Sequence, residues 1–500
     1  MKTKRLFAID LGASGGKCFA ASFENNSFAM RELHRFAYEP VSFFIPGRSK
    51  ADERMYWDDT FIYANIIEGL RVYRREFASS LDSIGIDTWG ADGVFITPAG
   101  DPLGKMYAYR DHRLDDMIAR LKKLISAREI YRITGIHFQP FNVSNQLLWF
   151  VQNRRNLLKP GCKFVPAPSL FYYFLCGAIK VDSTWASITQ LMDARTRKWS
   201  KTVISRLGIP QEIMPAIVRP GTTIGSLQPA LAASVGLNRA KLVAVGAHDT
   251  ASAFAAAPVE NMKDALIISS GTWALVGKFV PEPVTTAEAM AVNLSNEGGI
   301  GNIRLLKNCM GGWLAHELRR NWREKDGKEM EWPEMYRLAR QAKPFAAFID
   351  PDDRSFYNPS SMEKAILDFC RRTRQKVPAD RGAVLRLVYE SLAMKYRVIS
   401  GDISRIAGRA TKVVHIVGGG SRNELLNRFT ADAIGAPVIA GPVEATAVGN
   451  LMVQALGLGA IKSLAAAMPV IKKAFPIKTY TPQNKDAWNA AYLRFCRLKV

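Results

Sequence analysis

One carboxylate stands where it could act as a base. An apolar, β-branched run at residues 243–245 ends at Gly246, and His248, Asp249 and Thr250 follow at once. The small residues at 251–257 read as a close-packed helix that stops before Pro258, because proline disfavours helix in its predecessor. Asp249 therefore falls at a helix N-terminus, where backbone N–H groups and the helix dipole favour the charged carboxylate, which can then accept a proton at neutral pH. Asp and Thr are also ordinary helix caps, so the local pattern alone fits both roles.

Three glycine-rich turns could hold phosphate. A short apolar strand at residues 5–9 delivers Asp10 into Leu11-Gly12-Ala13-Ser14-Gly15-Gly16-Lys17, and residues 18–23 return as a second strand. Such a turn brings backbone N–H groups close to phosphate oxygens, since glycine allows positive φ and carries no side chain to block approach. It is not a P-loop: GxxxxGK[ST] is absent and no helix is expected to follow. Residues 265–277 repeat strand, Ser/Gly turn, strand, with Gly271 and Thr272 placed like Gly15 and Gly16. A buried-strand run at 413–417 leads into Gly418, Gly419 and Gly420, and Ser421 to Glu424 fits a capping box opening a helix that closes at Gly435. Strand, glycines and helix N-terminus form a nucleotide-binding arrangement, although each turn taken singly also reads as a tight connection. At residues 83–97, Asp87, Trp89, Gly90 and Asp92 combine a ring with carboxylates, as a sugar site does, and as a structural tryptophan at a strand end also would.

The elements that must carry these residues are legible in outline. Residues 28–38 give a third strand, and residues 57–77 a helix with Asp58 as its cap and Ile62, Ile66, Leu70, Tyr73 and Phe77 on one face. Residues 83–97 return as strand. Residues 105–240 read as mixed helices and loops building a pocket over the first domain. A boundary falls near residues 258–264, after which the pattern partly repeats as an internal duplication, so that two similar hairpins could clamp a polyphosphate. A strand at 437–441 and a helix at 444–456 follow.

Composition sets the frame. A chain of 500 residues, 48% hydrophobic and 23% charged, suffices for two domains with their own cores and excludes a disordered chain. The formal charge of +23 would suit nucleic acid, an anionic membrane surface or anionic small substrates. The basic residues fall in short helical clusters such as Arg71, Arg74 and Arg75, or Arg319, Arg320 and Arg323, without interleaved aromatics, which fits solvated helix faces better than a nucleic-acid surface. Six scattered cysteines form no CxxC pair, so neither zinc nor a disulfide framework is expected. No apolar run is long enough to cross a bilayer, and Asp10 cuts the first one short of a signal-peptide core. A cytoplasmic protein is expected.

Taken together, DLGASGGK, GIDTWGAD, AYRDHR, GAHDTASA, ISSGTW, LKNCMGGW and VVHIVGGGSRNELLNRF, at these spacings, resemble the FGGY family of carbohydrate kinases over nearly the whole chain. The resemblance implies an α/β fold of two actin-like ATPase (ribonuclease H-like) domains with a cleft between them for ATP and sugar. The expected division is an N-terminal domain at 1–257, a C-terminal domain at 258–460 and a helical tail at 461–500. It implies transfer of the γ-phosphoryl of ATP, with Mg²⁺, to the 1-hydroxyl of the ketose L-rhamnulose. L-fuculose or L-xylulose is the alternative substrate, and a sugar sensor of the same fold without turnover is the alternative class. Asp249 would be the base. Gly90, His248, Thr250 and Asn308 would contact the sugar, while Ala13, Ser14, Gly15, Gly16, Lys17, Thr272, His316 and Gly419 would hold ATP, and Asp10 would orient Mg²⁺ through water. The expected partners are the ketose and MgATP, with no nucleic acid or membrane, and the chain would be a monomer or a homodimer. The chain departs from the family pattern at three places: ASGGK for the usual ASSGR, His316, and Ala91-Asp92-Gly93 for the usual Val-Asp-Phe. Lys17 replaces an arginine, so a point charge stands for a forked guanidinium; His316 replaces a glutamine; and Gly93 replaces an aromatic, which would open space in the pocket wall for a 6-hydroxyl.

Overall fold

Leu6, Phe7, Ala8 and Ile9 form an unbroken apolar run, the pattern of a strand covered on both faces. In the structure, a computed structural model that describes residues 3–24, 27–45 and 53–498, the run is the middle of the strand Lys4–Gly12 and all four side chains are buried. The chain divides into two compact units, one of residues 1–256, 280–305 and 446–474, the other of residues 257–279, 306–445 and 475–500.

The first unit is built on a six-stranded sheet in the order Thr223–Ser226, Lys241–Val243, Ser83–Thr88, Lys4–Gly12, Gly15–Glu24, Ser27–Ala37. Lys4–Gly12 pairs antiparallel with Gly15–Glu24 and parallel with Ser83–Thr88. The helix Asp59–Phe77 starts at the expected cap, with the Asp58 carboxylate accepting from the Phe61 N–H at 2.9 Å. It buries Ile62, Ile66, Leu70 and Tyr73, but Phe77, the last residue of the expected stripe, is exposed at the helix end.

Residues 83–97 are not one strand. Ser83–Thr88 belongs to the main sheet, whereas Gly93–Ile96 pairs with Lys163–Pro166 in another. The break is held open by Asp92, whose φ of 73° turns the backbone out of the extended region.

The helix Ala445–Gly457 packs on the first unit's sheet through a buried polar stack. Gln454 accepts from Ser83 Oγ at 2.7 Å and donates to the Phe7 carbonyl at 3.0 Å and to Asn450 Oδ1 at 2.7 Å. Asn450 in turn donates to Asp87 Oδ2 at 2.6 Å. Gly85 makes room for this stack, because a Cβ there would lie 2.5 Å from Asn450 Oδ1 and 2.7 Å from Gln454 Nε2.

The second unit repeats the plan of hairpin plus parallel strand. Ala265–Ser270 pairs antiparallel with Trp273–Val280 and parallel with Val413–Val417, which continues to Val438–Ala440 and Lys478–Tyr480. Ile303–Met310 lies on the other side of Trp273–Val280. The helix after the triple glycine begins at Glu424 with Asn423 as its cap, not at Ser421. Residues Gly419–Arg422 wind as a 3₁₀ turn, and the Ser421 hydroxyl donates back to the Gly418 carbonyl at 2.7 Å. Residues 461–500 hold the helix Leu464–Ala474 in the first unit, and a strand, Lys478–Tyr480, and a helix, Lys485–Phe495, in the second.

Replacing Gln454 by leucine keeps the volume but leaves the Phe7 carbonyl and Ser83 hydroxyl buried without their partner. Each such orphaned group costs about 1–3 kcal/mol. Calorimetry should therefore show Gln454→Leu melting several degrees lower, with Gln211→Leu, at an exposed position, nearly unchanged.

Candidate active site

Strand register does the first positioning. Lys17, Asp10 and Asp87 are direct neighbours on three adjacent strands, so an ammonium and two carboxyl groups line up across the sheet. Asp87 is fully buried; burial first, and the adjacent Asp10 charge second, push its carboxyl well above the usual range, partly offset by the Asn450 N–H. Tyr38 reports the same neighbourhood. Its phenol is pushed up by burial and then by the charges of Asp10, Asp249 and Asp87, and its hydroxyl donates to the Gly12 carbonyl at 2.6 Å. The turn that follows Asp10 presents Ala13 and Ser14 to solvent, with Gly15 partly exposed, Gly16 buried in the second strand and Lys17 half-buried.

Asp249 begins the helix Asp249–Ala255, as expected, with His248 at the cap position. The loop leading to it is pinned by backbone. The Thr88 N–H donates to the Ala247 carbonyl at 2.8 Å, and Thr88 and His248 form a parallel bridge. The His248 N–H points to Thr184 Oγ1 at 3.4 Å, and that hydroxyl donates to Asp182 at 2.5 Å. The Asp249 side chain is 32% exposed, whereas His248 and Thr250 are buried. Thr250 donates to Asp249 Oδ1 from both its N–H and its hydroxyl, the latter at 3.0 Å. His248 Nε2 lies 3.4 Å from the same oxygen.

The other edge of the ring meets groups that sequence reading missed. His248 Nδ1 lies 3.3 Å from Glu297 Oε2 and 3.3 Å from Arg304 Nη2, and the two charged groups are 3.2 Å apart. Glu297 is buried, which alone would raise its pKa, but the adjacent His248 and the Arg304 charge outweigh burial and bring it to about 2. Gly90 closes the site: a Cβ there would lie 2.7 Å from His248 Nε2 and 2.8 Å from Ile188 Cδ1.

The other candidates belong to the second unit. Gly271 and Thr272 are exposed in the second hairpin turn, whose shape is held by the Gly312 N–H donating to the Gly271 carbonyl at 2.8 Å and the Gly311 N–H to the Thr272 carbonyl at 3.2 Å. Gly419 is exposed, with nothing within 4 Å of where its Cβ would be. His316 is exposed on the helix Trp313–Asp326, edge-on to Trp332 at 4.8 Å. Asn308 is half-buried, and its Oδ1 finds no hydrogen-bond partner among the described residues.

Two expectations need correction. Asp92 does not offer its carboxylate to a ligand: it is fully buried, and Oδ2 accepts from the indoles of Trp57 and Trp89 at 2.7 and 3.0 Å while Oδ1 accepts from Gln146 at 3.1 Å. Burial lifts its carboxyl to about 6 against these bonds. Trp89 is buried as well, with Trp57 4.4 Å away, so the pair is structural. Nor does Gly93 widen a wall beside His248. A Cβ there would lie 2.6 Å from the Phe164 ring, which fills the position, and the apolar hollow of about 340 Å³ that Gly93 helps to line includes none of the other candidate site residues.

The N-terminal domain of the FGGY family of carbohydrate kinases matches residues 6–256, and its C-terminal domain matches residues 266–458. The chain belongs to that family. The rhamnulokinase of Bacteroides thetaiotaomicron is 39% identical to this FGGY kinase over 493 residues, 98% of this chain and 99% of the relative. The rhamnulokinase of Bacillus subtilis is 35% identical over 480 residues, 96% of each. Among solved structures, a ligand-bound xylulose kinase from Lactobacillus acidophilus superposes with a TM-score of 0.78 at 14% identity, covering 99% of this chain and 97% of that one. Plasmodium falciparum glycerol kinase with ADP gives 0.78 at 15% identity, covering 100% and 99%. At that distance the two structures speak for the fold alone, an α/β protein of two actin-like ATPase domains.

A signal for Asp87 was present, since FAID and SIGID both end an apolar run on aspartate and adjacent strands in parallel register bring such ends together. Glu297 and Arg304 carried none: they come about fifty residues after His248 and reach it only by folding.

Gly90→Ala should push the imidazole from its place. Steady-state assays of this FGGY kinase should show kcat/KM for its sugar falling by about 10²-fold, the scale of an ångström-sized misplacement. Gly401→Ala, in a helix with open space around it, should leave activity unchanged.

Proposed function

We propose that this FGGY kinase transfers the γ-phosphoryl of ATP to the 1-hydroxyl of L-rhamnulose, giving L-rhamnulose 1-phosphate and ADP. The observation that carries the chemistry is Asp249, a partly exposed carboxylate between two buried polar residues at the start of a helix. The choice of sugar is supported by relatives named rhamnulokinase that match this chain from end to end.

In this reading Asp249 takes the proton of the 1-hydroxyl as the oxygen attacks phosphorus, while His248, Thr250, Asn308 and the Gly90 backbone hold the remaining hydroxyls. Backbone groups of residues 13–17, with Thr272, Gly419 and His316, hold the phosphates and nucleotide. Among the described residues no cluster of three or more His, Cys, Asp or Glu side chains is arranged to bind a metal by itself. That suits Mg²⁺ arriving on ATP, since this ion keeps its waters and takes one or two carboxylates besides the phosphates. Asp10 would hold it through water, and when bound it neutralises charge on the transferred group. A sensor without turnover is disfavoured because Asp10, Asp249 and Thr272 are all present.

No helix among the described residues is long and apolar enough to cross a membrane, and the six cysteines are free thiols, as a reducing compartment would keep them. We place the reaction in the cytoplasm, with the ketose and MgATP as partners.

A coupled ADP-release assay over ketoses, polyols and glycerol with MgATP tests the proposal, with NMR locating the phosphorylated carbon. L-Rhamnulose phosphorylated at C1 should give the highest kcat/KM, with L-fuculose and L-xylulose next and glycerol poor, since a pocket that pairs hydroxyls rejects analogues lacking them. Glycerol or gluconate in first place would overturn the choice of sugar, and ADP release no faster than background with every acceptor would overturn the kinase reading.

A further inference from the structure

We propose that Glu297 and Arg304 are positioning residues for the sugar end of the site: they hold the His248 ring so that its Nε2 edge faces Asp249. The inference rests on the reading of His248 as a sugar contact and goes beyond it, since neither charged residue lies in the sequence motifs that carry that reading.

The geometry is specific. Glu297 and Arg304 lie 3.2 Å apart, and each has an atom 3.3 Å from Nδ1, while Nε2 is 3.4 Å from Asp249 Oδ1. Both side chains are out of water, at 3% and 0% exposure. Arg304 also donates from Nε to the Gly298 carbonyl at 3.0 Å and stacks over Phe254, on the Asp249 helix, at 5.4 Å. The pair thus grips the imidazole and the helix that carries the base. Its Nη1, though buried, has no hydrogen-bond partner among the described residues. A buried arginine left partly unsatisfied costs stability, and a role in fixing His248 explains why the pair is there.

The chemistry follows from the charges. Arg304 Nη2 can only donate, so Nδ1 is the accepting nitrogen of the ring, while Glu297 balances the arginine's charge. In the neutral ring that leaves the proton on Nε2, 3.4 Å from Asp249 Oδ1. A ligand hydroxyl can accept from Nε2 and donate to the carboxylate at once, and that suits a polyhydroxylated acceptor at this point.

The test replaces the buried pair by apolar residues of similar size, Glu297→Leu with Arg304→Met, because such exchanges are often neutral for folding, and repeats it with His248→Ala in both backgrounds. His248→Ala alone should raise KM for the ketose about 10-fold or more with KM for ATP nearly unchanged, and the Leu/Met variant should do the same. Combining them should add nothing further, since the pair acts through the ring. A Leu/Met variant with wild-type ketose KM, or one whose effect multiplies with that of His248→Ala, would overturn the inference while leaving His248 as a sugar contact. If His248→Ala itself leaves ketose KM unchanged, the sugar-site reading fails, and the inference with it. Should the Leu/Met variant not fold, Glu297→Gln decides: a rise in ketose KM alone supports the role, and no change overturns it.

Discussion

Asp87 sits at 0% exposure in the middle of the first unit's sheet, and a carboxyl group taken out of water has to be partnered or neutralised. Its partner, Asn450, lies 363 residues away in sequence. The same constraint recurs around it. Asp182 binds Thr184, Asp92 binds two indoles and Gln146, and Glu297 meets His248 and Arg304. Asp87, Asp92 and Glu297 each reach residues distant in the chain, whereas Asp182 holds the nearby Thr184, whose hydroxyl oxygen in turn meets the His248 N–H.

Against that background Asp249 stands out by what it lacks. Asp87, Asp92, Asp182 and Glu297 are each buried, whereas the Asp249 carboxylate is one-third exposed. Burial would hold a carboxyl neutral or lock it in a pair, and either would spoil a base. A helix start, a neighbouring hydroxyl and a partly exposed position leave it reachable. His248 is the contrast: its backbone is bridged to Thr88 and its ring is caught between two charged groups on one edge and Gly90 on the other. The proposed site therefore pairs a one-third exposed carboxylate with a buried ring held on both edges.

Much of this was legible in the residues. Strict apolar runs and glycine turns announced both hairpins, and the Asp58 cap and the Asp249 helix start lie where residue types alone put them. What failed were positions where a distant partner decides. Asp92 looked like a ligand to a sugar because its indole neighbours are also what a sugar needs; only the fold turns those indoles inward. Gly93 looked like empty space because Phe164 arrives from another strand. Ser421 failed for a local reason: it lies inside the 3₁₀ turn Gly419–Arg422 and its hydroxyl donates back to Gly418, which leaves Asn423 as the cap.

The account turns on Asp249 being the group that accepts the proton, and replacing it by asparagine tests this most directly. Asparagine keeps the shape and its amide oxygen can still accept from Thr250, but it cannot take a proton. Measured with saturating ketose and MgATP, kcat of Asp249→Asn should fall by about 10²-fold or more while ATP affinity stays within a few-fold. Turnover close to that of the unaltered enzyme would contradict the account at its centre.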